Sequence, residues 1–134
     1  VVDADRLVLL ARHRRYGRWG PIGGHVDQGD SSLSAAAARE LLEETGLAAG
    51  VGSAPIDVRL FSYPCRTSTE PVPHLDVRFA AFIGISTPEL VANDELMGLD
   101  WFDVVRLPAP LTPDTEELVG LAIEAVALKF PQTT

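Results

Sequence analysis

Between Ser31 and Leu47 the chain carries four consecutive alanines, then Arg39-Glu40-Leu41-Leu42-Glu43-Glu44-Thr45, and closes on Gly46. Alanine, leucine, glutamate and arginine favour helix, Ser31 and Ser32 suit a helix start, and glycine suits the left-handed residue that ends one. The spacing predicts a helix over residues 32–45. On such a helix positions 40, 43 and 44 share a face, so three carboxylates lie within reach of one another and repel when unpaired. Leu41 and Ala37, one turn apart, can face a core, and Arg39 can hold Glu43 from one turn away. Binding a hard divalent cation relieves such a cluster, and an all-oxygen donor set points to Mg²⁺ or Mn²⁺ rather than zinc. A solvated acidic face explains the same residues equally well when they are taken alone.

The remaining elements follow from shorter patterns. Leu7–Ala11 is an apolar run suited to a buried strand, and Val1-Val2 reads as the end of an earlier strand that is incomplete here, with Asp3-Ala4-Asp5 as the turn. Residues 56–63 and 74–85 read as strands, the second placing Leu75, Val77, Phe79, Ala81 and Ile83 on one face. Pro64, Pro71 and Pro73 make 64–73 an expected loop. Leu99–Phe102 suits a short strand. A last helix is expected to open with an Asp114-x-x-Glu117 capping box and to bury Leu118, Leu121, Ala122, Ala125 and Leu128.

Charge narrows the function. The 134 residues carry a net charge of -8, which disfavours a nucleic-acid polymer as partner. The balance is uneven: residues 1–20 hold five arginines against two aspartates, and the acidic excess lies beyond them. No apolar run approaches the roughly 18 residues of a membrane span, and the single cysteine, Cys65, excludes an intrachain disulfide and any CxxC motif. A cytoplasmic location is the default expectation. Arg12, Arg14, Arg15 and Arg18 sit between the first strand and the glycine-rich stretch 20–24, where guanidinium groups can grip phosphate. Trp19 and Tyr63 can stack on a base or pack into the core. His25 and His74 have no ligand partner nearby in sequence, and a hydrogen-bonding role is expected of them.

The segment Arg39-Glu40-Leu41-x-Glu43-Glu44-x-Gly46-Leu47 resembles the second half of the box of the Nudix (MutT-like) hydrolase family, G-x5-E-x7-R-E-U-x-E-E-x-G-U with U aliphatic. Upstream, Gly23-Gly24-His25-Val26-Asp27-Gln28-Gly29-Asp30 is similar to the family's glycine-rich lead-in, and Trp19 suits the tryptophan before it. Two departures stand out: Asp30 replaces the box's first glutamate, and eight residues rather than seven separate it from Arg39. The resemblance implies one domain over residues 1–134, an α/β/α sandwich around a mixed central β-sheet. It implies Mg²⁺-dependent (or Mn²⁺-dependent) hydrolysis of a nucleoside diphosphate linked to another moiety, such as a nucleoside triphosphate, ADP-ribose or a dinucleoside polyphosphate. Glu40, Glu43, Glu44 and the Gly24 carbonyl would hold the cation, with Asp30 as a more distant box acid. Arg39, Glu43 and Glu95 form the expected catalytic group, with Asp94 and Glu89 behind Glu95, and Arg12, Arg14, Arg18, Trp19 and Tyr63 the expected substrate contacts. Tyr63 and Pro64 together occupy the region where family members differ by substrate, so they do not separate the classes. The partner is a small nucleotide, neither a polymer nor a membrane, and the oligomeric state is left open, a homodimer included. A Nudix-fold module that binds a nucleotide without cleaving it is the alternative, and an acidic surface on an unrelated α/β domain the third reading.

Overall fold

Four consecutive buried residues, Val8, Leu9, Leu10 and Ala11, make strand β1 (Val8–His13) the axis of the sheet, since an unbroken apolar run suits a strand covered on both faces. The computed structural model describes residues 1–65 and 68–132. Strand β1 pairs antiparallel with β2 (Trp19–Gly20) on one side and with β7 (Leu96–Phe102) on the other. A short antiparallel pair, β3 (Gly50–Val51) with β6 (Ala81–Phe82), joins them through Val2, which bridges antiparallel to Val8 and parallel to Phe82. Helix α1 (Leu33–Thr45) and helix α2 (Thr115–Lys129) cover opposite faces. Val8 and Leu10 pack with Val119, Ala122 and Val126 of α2, while Leu9 packs with Leu41 of α1, Leu47 and Ala81. The expected α/β/α sandwich with a mixed sheet is the one observed. Among the described residues no helix is long and apolar enough to cross a membrane.

Local chemistry sets the ends of α1. Ser32 caps it by accepting a 3.0 Å hydrogen bond from the Ala35 N–H. At the other end Gly46 takes φ 75° and its N–H donates to the Leu42 carbonyl. Thr45 is fully buried; its hydroxyl donates to the Leu41 carbonyl and accepts the Leu47 N–H. The Val91 N–H donates to the Thr45 carbonyl, which ties the segment before β7 to the end of α1.

Three expectations are corrected. Pro64 and residues 71–73 are not loop but belong to a long hairpin of β4 (Asp57–Pro64) and β5 (Pro71–Arg78); Arg66 and Thr67, within the expected loop, lie outside the described residues. Ser62 opposes Pro73 and Pro64 opposes Pro71, so all three prolines occupy one class of pair, two residues apart. Proline fits where the ladder needs no N–H. The expected strand 74–85 divides into β5 and β6, and Leu75 is exposed rather than core-facing. The hairpin turns its alternation outward: Val58, Leu60 and Leu75 lie on the open face, while Asp57, Arg59, Tyr63, His74 and Asp76 lie on the more covered one. On α2, Asp114 has φ 63° and makes no side-chain cap bond; instead Arg59 reaches Glu117 at 2.8 Å and Asp114 at 3.7 Å. The buried stripe of α2 is Thr115, Leu118, Val119, Ala122 and Val126, with Leu128 exposed. Most of this helix is apolar, so packing on the sheet rather than periodicity selects the face.

At Gly46 an alanine would take a left-handed conformation and place its Cβ 3.2 Å from the Val91 Cβ. Gly46→Ala is expected to lower the unfolding free energy by about 1–2 kcal/mol in a urea titration. An unchanged midpoint would show that the backbone shifts at no cost.

Candidate functional site

The loop between β2 and α1 has no regular structure of its own, and Arg39 gives it shape. The guanidinium forms a fork on Asp30, Nε to Oδ1 at 2.9 Å and a terminal nitrogen to Oδ2 at 3.0 Å. The same group donates to the His25 carbonyl at 2.8 Å, to Glu40 at 3.0 Å and to Glu43 at 3.1 Å. Asp27 lies 3.6 Å away. A planar cation with five fixed donors can serve this many acceptors at once. The Asp30 side chain is 7% exposed, and Arg39, then the Asp27 N–H, hold its carboxyl below the usual range. The extra residue in the box therefore does not pull Asp30 away from Arg39. Ser31 and Ser32 lie between Asp30 and the first helical residue, Leu33.

Gly24 is where the loop meets the helix. A Cβ there would lie 2.4 Å from the Glu40 carboxylate, so any other side chain would displace it. Glu40, Glu43 and Glu44 have separate surroundings. Glu40 and Glu43 each give an oxygen to Arg39. Glu44 is only 4% exposed; its carboxylate accepts from the Gly23 N–H, while Oε2 is buried with no hydrogen-bond partner. Burial, then the nearby charges of Glu40, Glu95 and Glu43, pushes the Glu44 carboxyl up to about 7. Glu95, on the segment that the Val91 and Arg14 backbone bonds fasten to α1 and β1, is thus brought close enough to act on Glu44. A buried carboxylate oxygen with no donor, beside two more acids and a glycine cradle, fits a hard cation.

The arginines of the basic segment each reach a backbone carbonyl. Arg12 donates to Gly17, Arg14 to Asp94, Arg15 to Pro64 and Arg18 to Leu111. Trp19 packs edge-on against Phe102 at 5.0 Å and lies over Gly98, where a Cβ would come within 2.8 Å of its ring. Tyr63 stacks on His74 with ring centroids 3.8 Å apart, and burial, then the Asp76 charge, raises its phenol to about 12.

One cluster escapes the sequence. His25, Cys65 and His74 come together with their ligand atoms within 4.8 Å of one another, close enough to share a metal ion. Both histidines make hydrogen bonds, as expected, His25 with the Cys65 thiol and His74 with the Val72 carbonyl; what their sequence positions do not signal is that the fold sets them beside one another. Positions 25, 65 and 74 are far apart in sequence, and only the β4–β5 pairing and the path of the glycine loop join them. A proline-tolerant hairpin reading of 57–78 was the one signal that could have found it.

The NUDIX domain family matches residues 1–121. A Bacillus subtilis (strain 168) protein named "Putative 8-oxo-dGTP diphosphatase" is 32% identical over 122 residues, 90% of this chain and 73% of that protein. The fold is similar to the NUDIX domain of Shewanella oneidensis NrtR complexed with ADP ribose, with TM-score 0.67, 21% identity and coverage of 90% of this chain and 77% of that one. It is also similar to the MutT NUDIX hydrolase of Burkholderia pseudomallei, with TM-score 0.62, 25% identity and coverage of 90% and 93%.

Two predictions follow from the acid cluster. Lysine keeps the charge of Arg39 but not its fork, so Arg39→Lys is expected to lower turnover or cation affinity about 10–100-fold, read by steady-state kinetics; wild-type values would remove the positioning role. Because the Glu44 pKa is about 7 in the fold against 4.5 ordinarily, its contribution to stability is complete below the lower value and is lost as pH rises through 7. In chelator, Glu44→Gln should therefore be more stable than the wild type at pH 8 by on the order of 1–3 kcal/mol, the gap closing toward pH 4.5. A gap that does not change with pH would assign the effect to packing.

Proposed function

This chain belongs to the Nudix hydrolase family, whose members generally cleave phosphoanhydride bonds, and from that premise we propose that it is a Mg²⁺-dependent pyrophosphohydrolase of nucleoside diphosphate derivatives. The observation that carries the reading is Glu44, a carboxylate buried without a partner for Oε2 among Glu40, Glu43 and Glu95. Glu40, Glu43, Glu44 and the Gly24 carbonyl would hold the cation, and their all-oxygen donors suit Mg²⁺ or Mn²⁺. When bound, the cation supplies charge neutralisation at the phosphates and activation of water.

The protein's own groups supply the rest. Arg39 fixes Glu40 and Glu43 and, through Asp30 and the His25 carbonyl, the loop that carries Gly24. Glu95 is the proposed base, taking the proton of the attacking water from beside Glu44. Arg12, Arg14 and Arg18 each have further N–H donors beyond the carbonyl contact and are the proposed phosphate contacts. Tyr63 is the proposed base-stacking residue. Among substrates, a nucleoside triphosphate has the stronger support, because the relative named for 8-oxo-dGTP is 32% identical whereas the domain bound to ADP ribose is 21% identical.

A panel of normal and oxidised nucleoside triphosphates, ADP-ribose and dinucleoside polyphosphates, assayed with Mg²⁺ and with chelator, tests this. The expected result is metal-dependent release of a nucleoside monophosphate, reduced by orders of magnitude in Glu44→Gln at saturating Mg²⁺. Nucleotide binding without products from any member of the panel would replace the enzyme with a binding module. Turnover that is unchanged in Glu44→Gln would remove the cation-ligand assignment.

A further inference from the structure

The cluster at His25, Cys65 and His74 lies outside the carboxylate group and has different chemistry. We propose that these three residues form a second metal site, for a borderline-soft divalent cation of the zinc type, with two imidazole nitrogens and one thiolate as ligands and a fourth position open to water. Three features support it. Zinc–sulfur and zinc–nitrogen bonds at a tetrahedral angle put sulfur and nitrogen about 3.6 Å apart. The Cys65 Sγ and His25 Nε2 lie 3.7 Å apart, within hydrogen-bond reach for sulfur and close to that edge.

The second feature is the tautomer of His74. Its Nδ1 lies 2.7 Å from the Val72 carbonyl, an acceptor, so Nδ1 carries a proton and Nε2 is the nitrogen left to bind a metal in the neutral ring, any proton on it being released on binding. A backbone carbonyl holding one ring nitrogen while the other faces a metal is the usual arrangement of a histidine ligand. Stacking on Tyr63 fixes the plane of the same ring. The third feature is composition. The cluster holds two nitrogens and a sulfur with no carboxylate, which selects zinc-like ions and leaves Mg²⁺ to the oxygen donors. Binding converts the Cys65 thiol to a thiolate and releases its proton to solvent.

The position gives the site a consequence. Cys65 follows the last residue of β4, His74 is in β5, and His25 follows Gly24. A bound ion would clamp the hairpin onto the glycine loop, beside the proposed Mg²⁺ ligand and on the residue whose carbonyl Arg39 holds. The assignment does not depend on the proposed hydrolysis, because its donors and its readout are separate from turnover.

Co²⁺ is the probe, titrated into the metal-stripped full chain with millimolar Mg²⁺ present to occupy oxygen sites. The expected result is one equivalent bound with a thiolate-to-cobalt charge-transfer band and tetrahedral d–d bands, both displaced by one equivalent of Zn²⁺. Cys65→Ser should abolish the charge-transfer band, and His25→Ala and His74→Ala should each weaken binding by about tenfold or more. Glu43→Gln should keep both band and affinity. His25 is an exposed loop residue, so its variant keeps the test valid if His74→Ala fails to fold. Absence of a thiolate band, full affinity in His25→Ala, or loss of the band in Glu43→Gln would each overturn the site.

Discussion

The glycine loop and two of the three helical glutamates of the candidate site are held by the Arg39 guanidinium. The loop from Pro21 to Asp30 contains no helix or strand, and a loop of that length has many shapes open to it. Arg39 selects one by holding Asp30 through a fork and the His25 carbonyl through another N–H, while the same group holds Glu40 and Glu43 on its own helix. Its side chain is 24% exposed, so solvent screening limits what each pair adds to stability. The larger effect is geometric. One side chain sets the position of Gly24 relative to Glu40, and no lysine could serve both partners with fixed angles.

Arg39 also explains how a cluster of like charges is tolerated in a folded protein. Glu40, Glu43, Asp30 and Asp27 surround a guanidinium whose own proton is held more firmly than usual, above all by Asp30. Glu44 lies outside that arrangement. It is buried instead, and burial with its acidic neighbours moves its carboxyl toward neutrality. The site thus has two kinds of acid, those neutralised by arginine and one without a counter-charge, and the second kind is the one that gains most from a cation.

What the sequence revealed was local. Helix α1 was legible because propensity, the Ser32 cap and the Gly46 stop agree, and β1 because an apolar run buried on both faces needs no alternation. The hairpin was legible in part: residues 56–63 read as a strand and match β4. Its facing and the start of β5 were not legible, because Val58, Leu60 and Leu75 point outward and its prolines fall at pairs that need no N–H. The α2 capping box failed because Arg59, a strand residue far from it in sequence, draws Glu117 and Asp114 toward itself. Within the site, the box residues were legible by spacing along one helix. Glu95 was named through the resemblance and not by spacing on the helix; what brings it near Glu44 is the tertiary bonding of its segment, including the bond from Val91 to Thr45.

The proposed soft site and the proposed oxygen site sit next to each other in the chain, at His25 and Gly24, and donor chemistry keeps them apart. Mg²⁺ binds oxygen and sheds water reluctantly, so a thiolate with two imidazoles offers it little. A zinc-type ion could compete for the carboxylates, but the nitrogen and sulfur donors bind it more strongly and would take it first. Traffic between the sites is therefore limited to geometry. An ion on His25 would fix the residue beside Gly24 from the hairpin side, while Arg39 already fixes the same residue from the helix side. With both anchors in place, Gly24 would be held against Glu40 from two directions, and the freedom of the loop to carry it away would fall.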